Sequence, residues 1–229
     1  YAGRILHVDL TTGKSHVEPL NENMAKKYIG GIGLGMRLWL DNSTPGVEPY
    51  SPDNPLIVVT GPTSGTVWPT GGNGHAFVSK SPQTFGVGEA KAHGSFGTEM
   101  KRAGYDAIIF KGKAEKLVYV WIDDDSVQLL DAASLAGKSP GETEDKIRDE
   151  LGDYYIRVAA IGPSGEKLVR IACIINDKTR AAGRTGLGAV MGSKNLKAIA
   201  IRGTRDIVVA KPAEFMEFVK EFHERMKGP

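Results

Sequence analysis

Cysteine is what this sequence has least of: one thiol, Cys173, in 229 residues. A single thiol forms no internal disulfide and holds no metal cluster. It lies in the apolar run 168–175, where a buried structural cysteine is expected. An excess of charge of one sign is also missing. With 29 basic against 27 acidic side chains the net charge is +2, so no global field draws the chain to nucleic acid or to an anionic membrane surface. No apolar run approaches the ~20 residues that span a bilayer, and Tyr1-Ala2-Gly3-Arg4-Ile5 lacks the apolar core of a secretory signal. Neither nucleic acid nor membrane is expected as a partner, and a cytoplasmic setting fits the lone thiol. A recognisable catalytic set is absent too: the chain has no nucleophile elbow, no histidine pair at metal-binding spacing and no Cys-x-x-Cys. Asp123, Asp124 and Asp125 read as a solvated hairpin turn, and His7 and His16 as surface residues on facing strands. No catalytic residue and no protein metal ligand is assigned. A chain of this kind suits a ligand that brings its own reactivity.

Glycine is abundant. There are 29, well above the usual ~7 %, and they cluster between apolar runs, where backbone must turn sharply or approach something closely. Residues 4–10 and 15–18 read as a hairpin. Residues 21–28 read as a helix capped by Asn21, residues 30–35 as a glycine-rich interruption that suits close helix packing, and residues 36–40 as resumed helix. Strands are expected at 56–60, 76–79, 107–110, 117–122, 127–130, 156–161, 168–175 and 198–201, and helices at 96–103, 139–151, 188–194 and 211–227.

The chain echoes itself. Residues 96–112 align without gaps on 187–203, with the flanking glycines, a methionine and an Ala-Ile pair coinciding, and Val58-Val59-Thr60-Gly61-Pro62 echoes Ala159-Ala160-Ile161-Gly162-Pro163. The expected fold is α+β: two β-sheets related by an internal duplication, a pseudo-twofold, with flanking helices. Such a duplication brings equivalent loops near one axis, a natural place for a roughly two-fold ligand.

Three segments are candidates for anion binding. In Pro69-Thr70-Gly71-Gly72-Asn73-Gly74-His75 the glycines free backbone N–H groups to converge on an oxyanion, while Asn73 and His75 add donors. Lys91-Ala92-His93-Gly94 leads into a helix, whose first N–H groups are unsatisfied. The third, Arg180-Ala181-Ala182-Gly183-Arg184, sets two guanidinium forks four residues apart around small residues, a good match to phosphate. On composition alone a surface hairpin turn is the favoured reading of the first, and a helix-capping loop accounts equally for the second. Gly186-Leu187-Gly188-Ala189-Val190-Met191-Gly192 misses the dinucleotide fingerprint by one residue, and Gly192-Ser193-Lys194 has the wrong order for a phosphate loop. On these grounds a stand-alone module for a phosphorylated ligand is one reading, and an NAD(P)-binding domain is disfavoured.

Residues 181–199, Ala-Ala-Gly-Arg-Thr-Gly-Leu-Gly-Ala-Val-Met-Gly-Ser-Lys-Asn-Leu-Lys-Ala-Ile, resemble the signature of the aldehyde:ferredoxin oxidoreductase family of tungsten-pterin enzymes. Similar matches follow in order: Tyr28-Ile29-Gly30-Gly31, Tyr50-Ser51-Pro52-Asp53-Asn54, Gly61-Pro62, Gly65-Thr66, Pro69-Thr70-Gly71-Gly72, Lys80-Ser81-Pro82 and Ala103-Gly104-Tyr105-Asp106-Ala107. The resemblance implies a pterin-binding amino-terminal domain over 1–210 and the start of a following helical domain at 211–229. It implies a tungsten (or molybdenum) bis-pterin whose dithiolene sulfurs hold the metal, a magnesium ion between the pterin phosphates, and a 4Fe-4S cluster only in a downstream region. In such an enzyme aldehydes become carboxylic acids and electrons pass to ferredoxin; a homo-oligomer is left open. This chain by itself is then expected to be inactive. By position, Arg180, Ala181, Gly183 and Arg184 match pterin-contacting residues. Asn73, Gly74 and His75, and Lys91, His93 and Gly94, occupy two other contact regions but depart from the family pattern. There Lys91 and His93 are positioned to supply the positive charge of a missing arginine.

Overall fold

Two six-stranded mixed sheets make up the molecule, and the computed structural model describes residues 1–70 and 72–228. Gly71 of the first glycine-rich segment, and Pro229 at the end of the 211–229 segment, lie outside the described residues. The first half runs β1 (Arg4–Asp9), β2 (Ser15–Pro19), α1 (Glu22–Tyr28), α2 (Gly31–Asn42), β3 (Leu56–Thr60), β4 (His75–Lys80), β5 (Val87–Ala92), α3 (Phe96–Arg102) and β6 (Ala107–Lys111). The second runs β7 (Val118–Asp123), β8 (Ser126–Asp131), α4 (Pro140–Leu151), β9 (Arg157–Ala160), α5 (Pro163–Glu166), β10 (Ile174–Asn176), β11 (Arg180–Ala182), α6 (Leu187–Ser193) and β12 (Leu196–Arg202), and α7 (Pro212–Met226) follows.

The sheet orders are β2-β1-β6-β3-β4-β5 and, read from the same end, β8-β7-β12-β9-β10-β11. Each sheet has one parallel pairing, β1 with β6 and β7 with β12; its other pairings are antiparallel. The expected duplication is therefore the architecture, and it extends to register. Val58 faces Ile108 in the first sheet and Ala159 faces Ile199 in the second, so both halves of the sequence echo keep the same cross-strand partner.

Burial follows from strand alternation. Val58 on β3 and Ile199 on β12 turn into one shared core with Phe77, Phe96 and Val190, between the sheets and around α3 and α6. Ile57 and Val59 turn to the opposite face, under α2, and Ala198 and Ala200 turn under α4. Gly35 lets α2 lie close on its sheet, because a Cβ there would stand 2.7 Å from Val78 and 2.9 Å from Val59. The chain breaks at Ile29, which takes a left-handed φ of 64°, but helix resumes at Gly31, earlier than the glycine run suggests. α4 begins as its sequence predicts. The Ser139 side chain accepts from the Glu142 N–H, the Glu142 carboxylate reaches back to Ser139, and Pro140 takes the first turn.

Two expectations fail. The apolar run 168–175 forms a strand only at Ile174–Asn176. Leu168 takes a left-handed φ of 57°, and turn bonds such as Val169 N–H to the Ser164 carbonyl (2.9 Å) coil the segment before it. Cys173 is accordingly half-buried rather than buried. Conversely, β5 and β11 were not expected as strands. Their sequences, Val-Gly-Glu-Ala-Lys-Ala and Arg-Ala-Ala, carry little strand propensity and are held by pairing to β4 and β10. No helix among the described residues is long and apolar enough to cross a membrane.

Candidate functional site

The two unexpected strands position the site. β5 is the edge of the first sheet and β11 the edge of the second, and they lie beside one another. Each leads directly into a candidate loop: residues 93–95 between β5 and α3, and residues 183–186 between β11 and α6.

The first-half side is built on the loop between β3 and β4. Ser64 ties its ends together, accepting from the Gly61 N–H (3.0 Å) and donating to the Gly74 carbonyl (2.7 Å). Gly72 is compelled, because a Cβ would stand 2.7 Å from the Thr66 carbonyl oxygen and 2.9 Å from that of Trp68. Asn73 Oδ1 lies 3.3 Å from His93 Nδ1. Gly74, Lys91 and His93 line a cleft of about 120 Å³ against Gly31 and Ile32 at the start of α2. His75 lines the same cleft but is buried. Its ring packs against Phe77 and Phe96, at 5.7 and 5.2 Å between centroids, and both ring nitrogens are buried without a partner. Burial pushes its pKa down to about 4, opposed by the Asp177 carboxylate and reinforced by His93, so it is neutral at physiological pH.

The second-half side is tighter. Thr185 and Gly186 take left-handed φ values of 63° and 72°, and a Cβ on Gly186 would overlap the Arg170 carbonyl. Gly188 donates its N–H to the Ala172 carbonyl (3.0 Å). Around Gly183 there is more room: a Cβ would approach nothing nearer than the Ala181 Cβ at 3.7 Å. Arg180, Ala181, Arg184 and, across the seam, Lys91 are exposed. Among the described residues no ion pair uses Arg180, Arg184 or Lys91.

Each half's hairpin tip reaches the other half's loop. From the β4–β5 turn, Ser81 Oγ donates to the Thr185 carbonyl (2.7 Å), and Thr185 Oγ1 returns a bond to the Glu89 carbonyl on β5 (3.2 Å). From the β10–β11 turn, Asp177 Oδ2 accepts from the Ser95 N–H (2.6 Å), and Asn176 Nδ2 donates to the His93 carbonyl (2.8 Å). The two candidate loops are thereby one structure. The Asp177 contact also revises an expectation, since the Ser95 amide at the start of α3 is already held by a carboxylate. That amide is not free for an anion, and the basic side chains on this side are Lys91 and His93.

Sequence reasoning missed Ser81, Thr185, Asn176 and Asp177. Asn176-Asp177-Lys178-Thr179 between an apolar run and Arg180 is a turn signal that could have flagged the second hairpin. Nothing local flags that its tip crosses to the other half. Among the described residues no group of three or more His, Cys, Asp or Glu side chains is placed to hold a metal ion. The assembled chemistry is unpaired cations and open backbone at a seam, which suits a polyanionic ligand.

The profile described as aldehyde ferredoxin oxidoreductase, N-terminal domain, matches residues 5–203. The tungsten-containing aldehyde ferredoxin oxidoreductase of Pyrococcus furiosus is 49% identical over 226 residues, and that of Pyrococcus abyssi 47% over 227; each match covers 99% of this chain and 37% of the relative. An aliphatic sulfonate oxidoreductase, WOR-like subunit, of Pyrococcus furiosus is 36% identical over 242 residues, covering 99% of this chain and 38% of the relative. Among solved structures, the active-site complex BamBC of benzoyl coenzyme A reductase, in complex with 1,5-dienoyl-CoA, superposes with a TM-score of 0.95 at 41% identity, covering 99% of this chain and 34% of that chain. The chain thus spans a little over a third of the length of these relatives.

Proposed function

We propose, from the premise that this chain belongs to the aldehyde ferredoxin oxidoreductase family as its N-terminal domain, that it cradles a tungsten (or molybdenum) bis-pterin at the seam between β5 and β11. One observation carries the reading. Two topologically equivalent loops, one from each half, are hydrogen-bonded into a single unit, and the cations around them have no carboxylate partner among the described residues. A two-fold ligand with anionic tails has the matching symmetry and charge. Arg180 and Arg184 would take phosphate oxygens as guanidinium forks. Ala181 and Gly183 would allow close backbone approach, and Lys91, His93, Asn73 and Gly74 would serve the other tail. His75 would form a buried part of the cleft wall, packed against Phe77 and Phe96, and Gly94 would let the loop turn. Magnesium belongs to the reading as the counter-ion of the phosphates.

When bound, the cofactor's metal supplies two-electron oxidation of an aldehyde to a carboxylic acid. This domain's residues bind and orient the cofactor and shape the charge around it. The 4Fe-4S cluster, electron transfer to ferredoxin, a cytoplasmic setting and a division between a pterin domain over 1–210 and a helical domain from 211 complete the proposal. A second reading, reduction of a ring carried on a coenzyme A thioester, is favoured by the likeness to the benzoyl coenzyme A reductase complex. The higher identity to the aldehyde enzymes ranks it second.

The test is metal analysis by mass spectrometry and pterin assay on the full-length gene product, followed by turnover assays with aldehydes and with aroyl-CoA thioesters. Tungsten or molybdenum with two pterins per chain is the expected result. A folded product free of both rejects the reading, and turnover of only the thioester promotes the second reading over the first.

A further inference from the structure

The β10–β11 turn breaks the internal symmetry in a way the fold does not require. Register makes Asn176 the counterpart of Phe77, since each faces the equivalent residue of its neighbouring strand, Ala159 or Val58. A buried amide therefore stands where the first half has a buried aromatic ring, at 1% exposure. A buried amide is costly unless it is hydrogen-bonded. Asn176 Nδ2 uses its hydrogens on the His93 carbonyl (2.8 Å) and on Asp177 Oδ2 (2.9 Å), while its Oδ1 is buried without a partner among the described residues. The same Asp177 oxygen accepts the Ser95 N–H. Gly94, between these two contacts, has φ +100°, and a Cβ there would overlap the Asp177 carboxylate. On its far side the turn is anchored to its own half: the Lys178 N–H donates to Glu144 on α4 (3.0 Å), and the Lys178 ammonium pairs with Asp145 (2.5 Å).

We infer that Asp177 and Asn176 are positioning residues that, from the second half, set the backbone of the first half's loop so that His93, beside Lys91 of β5, faces the cofactor cleft. The inference rests on the cofactor reading above. The pair touches the loop and not the cofactor. Its carboxylate is engaged by the Ser95 amide and by Asn176, which lets an acidic residue sit beside an anion site.

The experiment uses full-length enzyme carrying Asp177→Ala, Asp177→Asn or Asn176→Leu. Hydrogen exchange followed by mass spectrometry is read over residues 91–97 and over β12, and pterin and metal are read per folded protein. Asp177→Ala is expected to speed exchange at 93–97 about tenfold or more while β12 is unchanged, and to lower cofactor content several-fold. Asp177→Asn, whose amide oxygen can still accept from Ser95, should restore most of both. Asn176→Leu fits an apolar site and should lose cofactor as Asp177→Ala does; it decides the matter if the alanine variant fails to fold. Wild-type exchange and wild-type cofactor content in Asp177→Ala or Asn176→Leu overturn the inference. So does faster exchange spread evenly over the domain, with cofactor lost only in proportion to folded protein. If wild-type enzyme itself holds no pterin, the cofactor reading has failed, and the exchange measurements alone decide the latch.

Discussion

The two halves share a strand order and a register but not a loop chemistry. On the first side, the loop after β5 is held by a carboxylate and an amide from across the seam, and the basic side chains are Lys91 on β5 and His93 in the loop. On the second side, the loop after β11 is held by the hydroxyl of Ser81, and Arg180 and Arg184 are exposed with no ion-pair partner among the described residues. Duplication preserved what backbone pairing and core packing demand. It left free what a ligand sees, so the two sides diverged into unequal grips on either side of one seam.

Substitutions that make the halves more alike, or more different, test this contrast. The largest effect is expected at the paired helix glycines. A methyl on Gly188 would overlap the Cys173 carbonyl, whereas one on its counterpart Gly97 would meet His75 Cβ at 3.1 Å and the Gly74 carbonyl at 3.2 Å. Gly188→Ala should cost about 3 kcal/mol or more through overpacking against backbone. Gly97→Ala should stay within about 1 kcal/mol, because alanine's helical preference offsets the crowding. Urea denaturation of both variants checks the ranking, and equal losses would break the comparison.

The next effect belongs to His75, whose counterpart by register is the buried Ile174. The unfolded chain takes up a proton at His75 as pH falls through 6.5, while the native imidazole stays neutral to about 4. The unfolded state therefore binds more protons in that window, and stability falls as pH drops across it, by about 3 kcal/mol in all. His75→Ile, which copies the second half, should flatten this acid slope while leaving stability above pH 7 within about 1 kcal/mol. Denaturation at a series of pH values between 4 and 7 reads it directly; an unchanged slope would assign the acid sensitivity to other groups.

A smaller stability effect with a functional consequence is expected at Arg184. Exposed and without an ion-pair partner among the described residues, it should cost no more than about 0.5 kcal/mol of stability when replaced by alanine, yet cofactor occupancy of the full-length protein should fall about tenfold or more. Unchanged occupancy would remove the role proposed for it. The most local effect is at Ser81, whose replacement by alanine removes its bond to the Thr185 carbonyl and the two that its oxygen accepts from the Gln83 and Thr84 N–H groups; it should cost about 2 kcal/mol, read as a shift in thermal midpoint.

The outer body of this fold was legible in the sequence. β3, with all five residues buried, announces itself as a continuous apolar run, and α4 carries its capping signature in Ser139, Pro140 and Glu142. The glycine-to-strand echo of 96–112 in 187–203 carries the duplication. The strands that form the seam were not legible. Lys91 and Arg180 sit in short segments of glycine, alanine and charge, whose extended form comes from pairing to β4 and β10. Leu168 and Ile171 misled in the opposite direction, because apolar character alone does not separate a strand from a coiled turn whose apolar side chains stay exposed.

What the sequence by itself determined is the set of local and repeated features: the apolar periods, the caps, the duplicated strand–loop–helix unit and the stock of guanidinium groups. These follow from interactions between residues close in the chain, or from patterns that any sheet must satisfy. Only the tertiary structure decided that β5 and β11 become neighbouring edges, that Asp177 caps a loop some eighty residues away and that His75 is buried as a neutral imidazole. Those outcomes depend on which backbone groups and charges meet across two separately closed sheets, and no local pattern encodes that meeting.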